Sequence, residues 1–223
     1  GLSSWFFGGG RLYLGGTNVM KLILASMLNK SQSKISPILK AAGVKTALCI
    51  PTAANVYSPE NRGWQTDEMN TLQQLGVELD IFDVEGKAPQ EVKTKMEAHT
   101  AVYVTGGNTY YLLDHMRRSG FDEVIRAWAG NGRTYIGCSA GAVVACSRID
   151  YIGAMDDPSQ STLTDFTGLG LYPNNLVMVH ADHQKYGPIA QDLKIEWERK
   201  GNRVVPLNDD QILLWDGRET EIL

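Results

Sequence analysis

Thr134-Tyr135-Ile136-Gly137-Cys138-Ser139-Ala140-Gly141-Ala142-Val143-Val144 is the stretch on which the reading of this chain turns. An apolar strand, Arg133 to Gly137, runs into G-x-S-x-G, and a helix-compatible run, Ala140 to Cys146, follows. Strand, sharp turn and helix are the context in which that motif carries meaning, because the turn lifts the serine hydroxyl above the carboxyl end of a sheet. The flanking glycines remove side chains that would collide with neighbouring backbone, and Ser139 is expected in a strained conformation. An oxyanion formed beside it would meet the Ala140 N–H and the positive end of the following helix. Cys138 and Cys146 are expected to be buried packing residues.

Working outward, short apolar runs alternate with helical patterns. Strands are expected at Leu22–Ala25, Thr46–Ile50, Val77–Val84 and Ala101–Val104. Between them, Ser36-Pro37 should open a short helix that Gly43 closes. Met69, Leu72 and Leu75 mark a helix ending at Gly76, and Glu91–Ala98 a further one. Phe121, Val124, Ile125 and Trp128 fall at i, i+3, i+4 and i+7 on one helical face. Parallel strands need crossover connections, so this alternation predicts an α/β fold: a three-layer sandwich with a mostly parallel central sheet and helices on both faces. Beyond Ser147, extended segments are expected at Arg148–Ile152 and Leu176–His180. A helix carrying Ile189, Leu193 and Trp197 comes next, then strands at Arg203–Leu207, Ile212–Trp215 and Glu219–Leu223.

Composition removes several classes of function. At 223 residues with 43% apolar content, one domain can bury roughly 70% of its surface. A formal charge of −4 leaves no basic excess for a phosphate backbone, so no nucleic-acid partner is expected. No apolar run spans a bilayer, since Lys21 and the polar stretch from Asn29 to Lys34 interrupt the N-terminal candidate, and no membrane partner is expected. Three cysteines in no metal-ligand spacing suit a reducing compartment, and the chain is expected in the cytoplasm. Residues 1–19 mix two glycine clusters with Trp5, Phe6, Phe7 and Tyr13, whereas Met20 runs straight into a buried strand. They read as an expression remnant or N-terminal extension, or else as a strand added to a sheet edge; residues 20–223 read as one domain. A homodimer is left open.

A second strand-to-helix turn, Tyr103-Val104-Thr105-Gly106-Gly107-Asn108-Thr109, offers backbone N–H groups of Gly106 or Gly107 to a ligand, with no Cβ in the way. A serine hydroxyl needs a base, and of the four histidines His180 and His183 stand at the end of the apolar strand Leu176–Val179. Their H-x-D-H spacing also invites a metal, but no third and fourth ligand cluster is visible, so neither metal nor cofactor is expected. Asp209 and Asp210 lie between two late strands, where one could fix the imidazole tautomer.

The order Tyr103 to Thr109, then Tyr135 to Ala142, then a late histidine, resembles the peptidase E family of serine peptidases, aspartyl dipeptidases with cyanophycinases as relatives. The resemblance covers about Lys21 to Gly217. It implies a flavodoxin-like, class I glutamine amidotransferase-like fold and hydrolysis of small peptides without a cofactor. By this resemblance Ser139 is the nucleophile, Gly107 and Ala140 donate to the oxyanion, His183 is the base and Asp209 its partner, with His180 and Asp210 as alternatives. The chain departs from the family after the histidine: Gln184-Lys185-Tyr186-Gly187 stands where peptidase E has a basic Gly-Glu-Thr-Arg stretch associated with gripping an aspartyl side chain. Lys185 is the residue that could supply the positive charge. Rival expectations are an esterase or amidase on a small molecule, and a non-catalytic binding module of the same fold.

Overall fold

The computed structural model describes residues 4–7, 10–13, 20–130 and 132–223. Strands β1 (Ser4–Phe7) and β2 (Gly10–Tyr13) pair antiparallel with each other in a sheet of their own. The reading of residues 1–19 as a remnant or extension otherwise lies outside the described residues.

The remaining strands are β3 (Lys21–Ala25), β4 (Thr46–Ile50), β5 (Glu78–Ile81), β6 (Ala101–Val104), β7 (Thr134–Cys138), β8 (Asn175–Met178), β9 (Arg203–Pro206), β10 (Ile212–Trp215) and β11 (Thr220–Ile222). The helices are α1 (Gln32–Ala42), α2 (Gly63–Gln74), α3 (Pro89–Glu97), α4 (Thr109–Arg118), α5 (Phe121–Trp128), α6 (Ala140–Val144) and α7 (Gly187–Arg199). The central sheet has seven strands in the order β11-β10-β3-β7-β6-β4-β5. The five from β3 to β5 are parallel, and β10 and β11 add an antiparallel edge. The expected α/β architecture is therefore what the chain adopts. A separate parallel pair, β8-β9, stands beside it.

Alternation along the parallel strands divides the core between two faces. Ile23, Ala25, Ala47, Cys49, Tyr103, Ile136 and Cys138 pack with Ile35, Ile38 and Leu39 of α1 and Leu72 of α2. Leu22, Leu24, Leu48, Ile50, Val102, Val104 and Tyr135 face the other way, onto Val92, Leu112, Leu113, Phe121, Ile125 and Val143. Strand β7 is buried throughout, as a strand covered on both faces must be. Cys49, Cys138 and Cys146 are all free and buried.

Three local expectations shift. Helix α1 begins at Gln32, and Pro37 lies inside it. Pro37 and Ser33 are both exposed, so the carbonyl that Pro37 leaves without an N–H faces water and the kink cost is softened. The stretch Arg148–Ile152 is no strand: Asp150–Ile152 forms a 3₁₀ turn, with the Tyr151 hydroxyl donating to the Val177 carbonyl at 2.7 Å. The expected strand Val77–Val84 is shorter, ending at Ile81. No helix among the described residues is long and apolar enough to cross a membrane.

Candidate active site

Strands β3, β6 and β7 are neighbours, and the chain leaves each at the same carboxyl edge of the sheet. Ser26, Gly106-Gly107 and Ser139 are thereby gathered at one place, where open parallel sheets bind ligands. Ser139 has φ 50° and ψ −109°, a conformation that L-residues avoid. What holds it there is the tight seating of α6. A Cβ on Gly137 would meet the Gly141 carbonyl oxygen at 2.4 Å, and one on Gly141 would meet the Val104 oxygen at 2.2 Å. The Tyr135 hydroxyl donates to the Gly141 carbonyl at 2.6 Å, and the Ser139 N–H to the Ala25 carbonyl at 2.8 Å, fixing the turn from both sides.

The imidazole that reaches Ser139 is that of His180. Its Nε2 lies 3.0 Å from Ser139 Oγ, and its Nδ1 lies 2.7 Å from Asp209 Oδ1. A carboxylate can only accept, so Nδ1 carries the proton toward Asp209 and Nε2 is left to accept from the serine hydroxyl. Burial disfavours the Asp209 charge, but hydrogen bonds from His180 and from the Lys30 ammonium at 3.0 Å outweigh it and hold the carboxyl below its ordinary value.

The expectation of His183 at the serine is corrected by this geometry. His183 Nδ1 accepts the backbone N–H groups of Lys185 at 3.2 Å and Tyr186 at 3.4 Å, so that ring caps the turn leading into α7. Asp210 is likewise elsewhere: it is exposed and pairs with Lys34. Lys185 is exposed, its ammonium 5.0 Å above the Tyr186 ring, and it does not line the cavity. Gly106 is also removed from the oxyanion donors, since its N–H points to Glu68 Oε2 at 3.3 Å. The N–H groups of Gly107 and Ala140 have no protein acceptor among the described residues. Gly107 must be glycine: its φ is 139°, and a Cβ would stand 2.2 Å from the Ala53 oxygen.

Ser26 and Asp182, like Lys30 beside Asp209, are supporting residues that escaped the sequence reading. The Ser26 hydroxyl accepts the His180 N–H at 3.0 Å and donates to the Leu207 carbonyl at 2.8 Å, clamping the ends of β8 and β9 to the end of β3. The Asp182 carboxylate accepts the Asp209 N–H at 2.8 Å, so the acid within H-x-D-H positions the turn that carries Asp209. The signal that could have revealed both was the pairing of the two short apolar runs as parallel neighbours. Among the described residues, no group of three or more His, Cys, Asp or Glu is placed to hold a metal ion.

Ser139 and His180 open on a cavity of about 380 Å³ lined also by Tyr57, Trp64, Glu68, Ile152, Met155, Asp156 and Tyr186. Its charged lining, among the described residues, is two carboxylates and no lysine or arginine. Burial pushes the Glu68 carboxyl up to about 7, against the hydrogen bonds from Gly106 N–H and the Tyr103 hydroxyl. Asp156 is also raised by burial, although its Oδ2 accepts from both the N–H and the hydroxyl of Thr109.

An open α/β sheet with a strained serine, an imidazole held between it and a carboxylate, and a cavity at its carboxyl edge defines an enzyme of the hydrolase class. The model of Peptidase family S51 matches residues 20–223, and the chain belongs to that family; it is a peptidase. An uncharacterized peptidase of Listeria monocytogenes is 31% identical over 176 residues, covering 78% of this chain and 84% of the relative. An uncharacterized peptidase of Pasteurella multocida is 36% identical over 180 residues, 80% and 84% of the two chains. A crystal structure of a Listeria monocytogenes protein ascribed to peptidase E superposes with a TM-score of 0.83 at 27% identity, over 92% of this chain and 98% of that one.

Proposed function

We propose that the chain is a serine peptidase of small peptides, with Ser139, His180 and Asp209 as its catalytic triad. The observation that carries the reading is the unbroken relay from Asp209 through His180 to Ser139, at 2.7 and 3.0 Å, ending at the cavity. In the first step His180 Nε2 takes the hydroxyl proton as Ser139 Oγ bonds to the peptide carbonyl carbon. The carbonyl oxygen gains the charge and is received by the Gly107 and Ala140 N–H groups, each worth about 3 kcal/mol in the barrier at such a site. The imidazolium, held in place by Asp209, then gives its proton to the departing amine. Water repeats the sequence on the acyl-enzyme and releases Ser139.

The cavity volume is in the range of small-molecule sites, which favours short peptides over folded protein substrates. The absence of a lysine or arginine from the described lining argues against the aspartyl preference of peptidase E. Three free, buried cysteines favour action in the cytoplasm. A fluorophosphonate probe should label Ser139 in the wild-type chain, and Ser139→Ala should abolish both labelling and dipeptide hydrolysis with the melting temperature almost unchanged. Unlabelled protein, or turnover surviving in Ser139→Ala, defeats the reading.

A further inference from the structure

Asp209 carries a buried carboxylate whose two oxygens are met by two donors of different kinds. The side chain is 5% exposed. Oδ1 accepts from His180 Nδ1 at 2.7 Å, the bond the relay requires. Oδ2 accepts from the Lys30 ammonium at 3.0 Å, and among the described residues no other side chain or backbone group donates to the carboxylate. Lys30 is itself 49% exposed, a cation with one side in water and the other on the buried acid.

The turn carrying Asp209 is gripped from the start of α1 at two points. Lys34 Nζ donates to the Asp210 carbonyl at 2.6 Å and to the Asp210 carboxylate at 3.2 Å, both at the surface. Lys34 therefore holds the backbone of the turn, and Lys30 alone of the two reaches the acid. Rotation about the last side-chain bond of an aspartate is loose, so a carboxylate held by the imidazole alone is free to swing, whereas one held through both oxygens has its plane fixed. Burial opposes the Asp209 charge, and the bonds from His180 and Lys30 offset it. While His180 is neutral, Lys30 is the full positive charge on this carboxylate.

The same charge acts on the imidazole, because an ammonium on the far oxygen opposes a second positive charge on the ring. Asp182 accepts the Asp209 N–H, Cys138 lies near Asp209, and Asp156 acts on His180 by its charge. The rings of His183 and Tyr186 stand 6.0 and 5.8 Å from that of His180. None of these is a lysine or arginine, so Lys30 is the one such cation bonded to the triad among the described residues.

We infer that Lys30 is a positioning residue of the triad, which keeps the Asp209 carboxylate charged and turned toward His180 and so sets the lowest pH at which Ser139 is activated. This rests on the serine-peptidase reading of the same site.

The rate of fluorophosphonate labelling of Ser139, followed against pH, reads the base without a substrate. In Lys30→Cys the ring should keep its proton to higher pH, and labelling should fall off on the acid side about 0.5–1 pH unit above the wild type. The three native cysteines are buried, so the introduced thiol alone is open to alkylation. Bromoethylamine rebuilds an ammonium on a side chain of lysine's length and should return the acid limb to its wild-type position, whereas iodoacetamide, which adds a neutral group, should leave it displaced. Lys34→Met should leave the limb in place. A limb of Lys30→Cys that coincides with the wild type, one restored equally by both reagents, or one displaced as far by Lys34→Met overturns the inference. A chain that labels without any of the expected displacement loses the role of Lys30 alone, and one that the probe never labels loses the serine chemistry and the inference with it.

Discussion

The two halves of the site are built on different principles. Ser139, Ala140 and Gly107 come from turns after β7 and β6, inside the seven-stranded sheet, where the strands are covered and a Cβ added to Gly107 or Gly141 would stand 2.2 Å from a backbone oxygen. His180 and Asp209 come from the ends of β8 and β9, a two-stranded parallel pair whose register sets Met178 against Pro206. Two residues past Met178 and three past Pro206, the imidazole and the carboxylate meet, and Ser26 bolts that pair to the sheet. The sheet-borne half owes its geometry to packing, and the other half to hydrogen bonds among polar side chains. Filling the glycines that seat the first half should therefore cost stability, whereas altering the polar side chains of the second should cost activity in a protein that still folds.

The largest effect should come from the histidines. His180→Ala is expected to lower kcat/KM by at least about a thousandfold with little change in melting temperature, while His183→Ala, which removes a turn cap and a ring on the cavity wall but no contact with Ser139, stays within about tenfold. The reverse order in a dipeptide assay would break the comparison at its centre. Next comes the acid: Asp209→Asn should cost about a thousandfold, because the amide favours the wrong imidazole tautomer, and Asp210→Asn almost nothing. Equal losses in the two would show that Asp210 can serve.

On the sheet-borne side, Gly141→Ala should destabilise by about 3 kcal/mol or more in urea unfolding, since its Cβ would press on the Val104 oxygen at 2.2 Å. Soluble, stable Gly141→Ala protein that is merely inactive would erase the distinction between the halves. The smallest effect is the pH slope carried by Glu68. With its carboxyl raised from 4.5 to about 7, the folded protein binds this proton more tightly than the unfolded chain, so stability declines as pH rises through that window. The groups acting on it are Tyr103, Cys138, Cys49 and the Gly106 N–H. Glu68→Gln should remove roughly 2–3 kcal/mol of that decline between pH 5 and pH 8, measured by unfolding at both. Asp209 has the opposite sign: held low, it stabilises above its unfolded pKa and loses that contribution as pH falls.

Legibility followed the same division. Strand β7, its G-x-S-x-G turn and the Gly106-Gly107 turn could be read directly, because each is local: an apolar run, glycines where a Cβ cannot fit, and a helix start within a dozen residues. The α/β class followed from the alternation of strands and helices. His180 and His183 stand three residues apart after the same apolar run, and nothing in H-x-D-H tells which ring meets the serine. Resemblance alone favoured His183. Lys185 could be proposed for the cavity for the same reason: a side chain's direction near a helix start is not written in its neighbours.

What the sequence determined by itself was the presence of the turn that carries Ser139 and the class of sheet beneath it, because both are written in contiguous runs: an apolar strand, two flanking glycines and a helix start. Only the tertiary structure brought His180 to Ser139 and Asp209 to His180, leaving His183 and Asp210 in other contacts. Those choices rest on the register of β8 against β9 and on hydrogen bonds spanning up to 181 positions, from Ser26 to Leu207. Contacts at that separation are selected by how the whole core packs, and no local pattern encodes them.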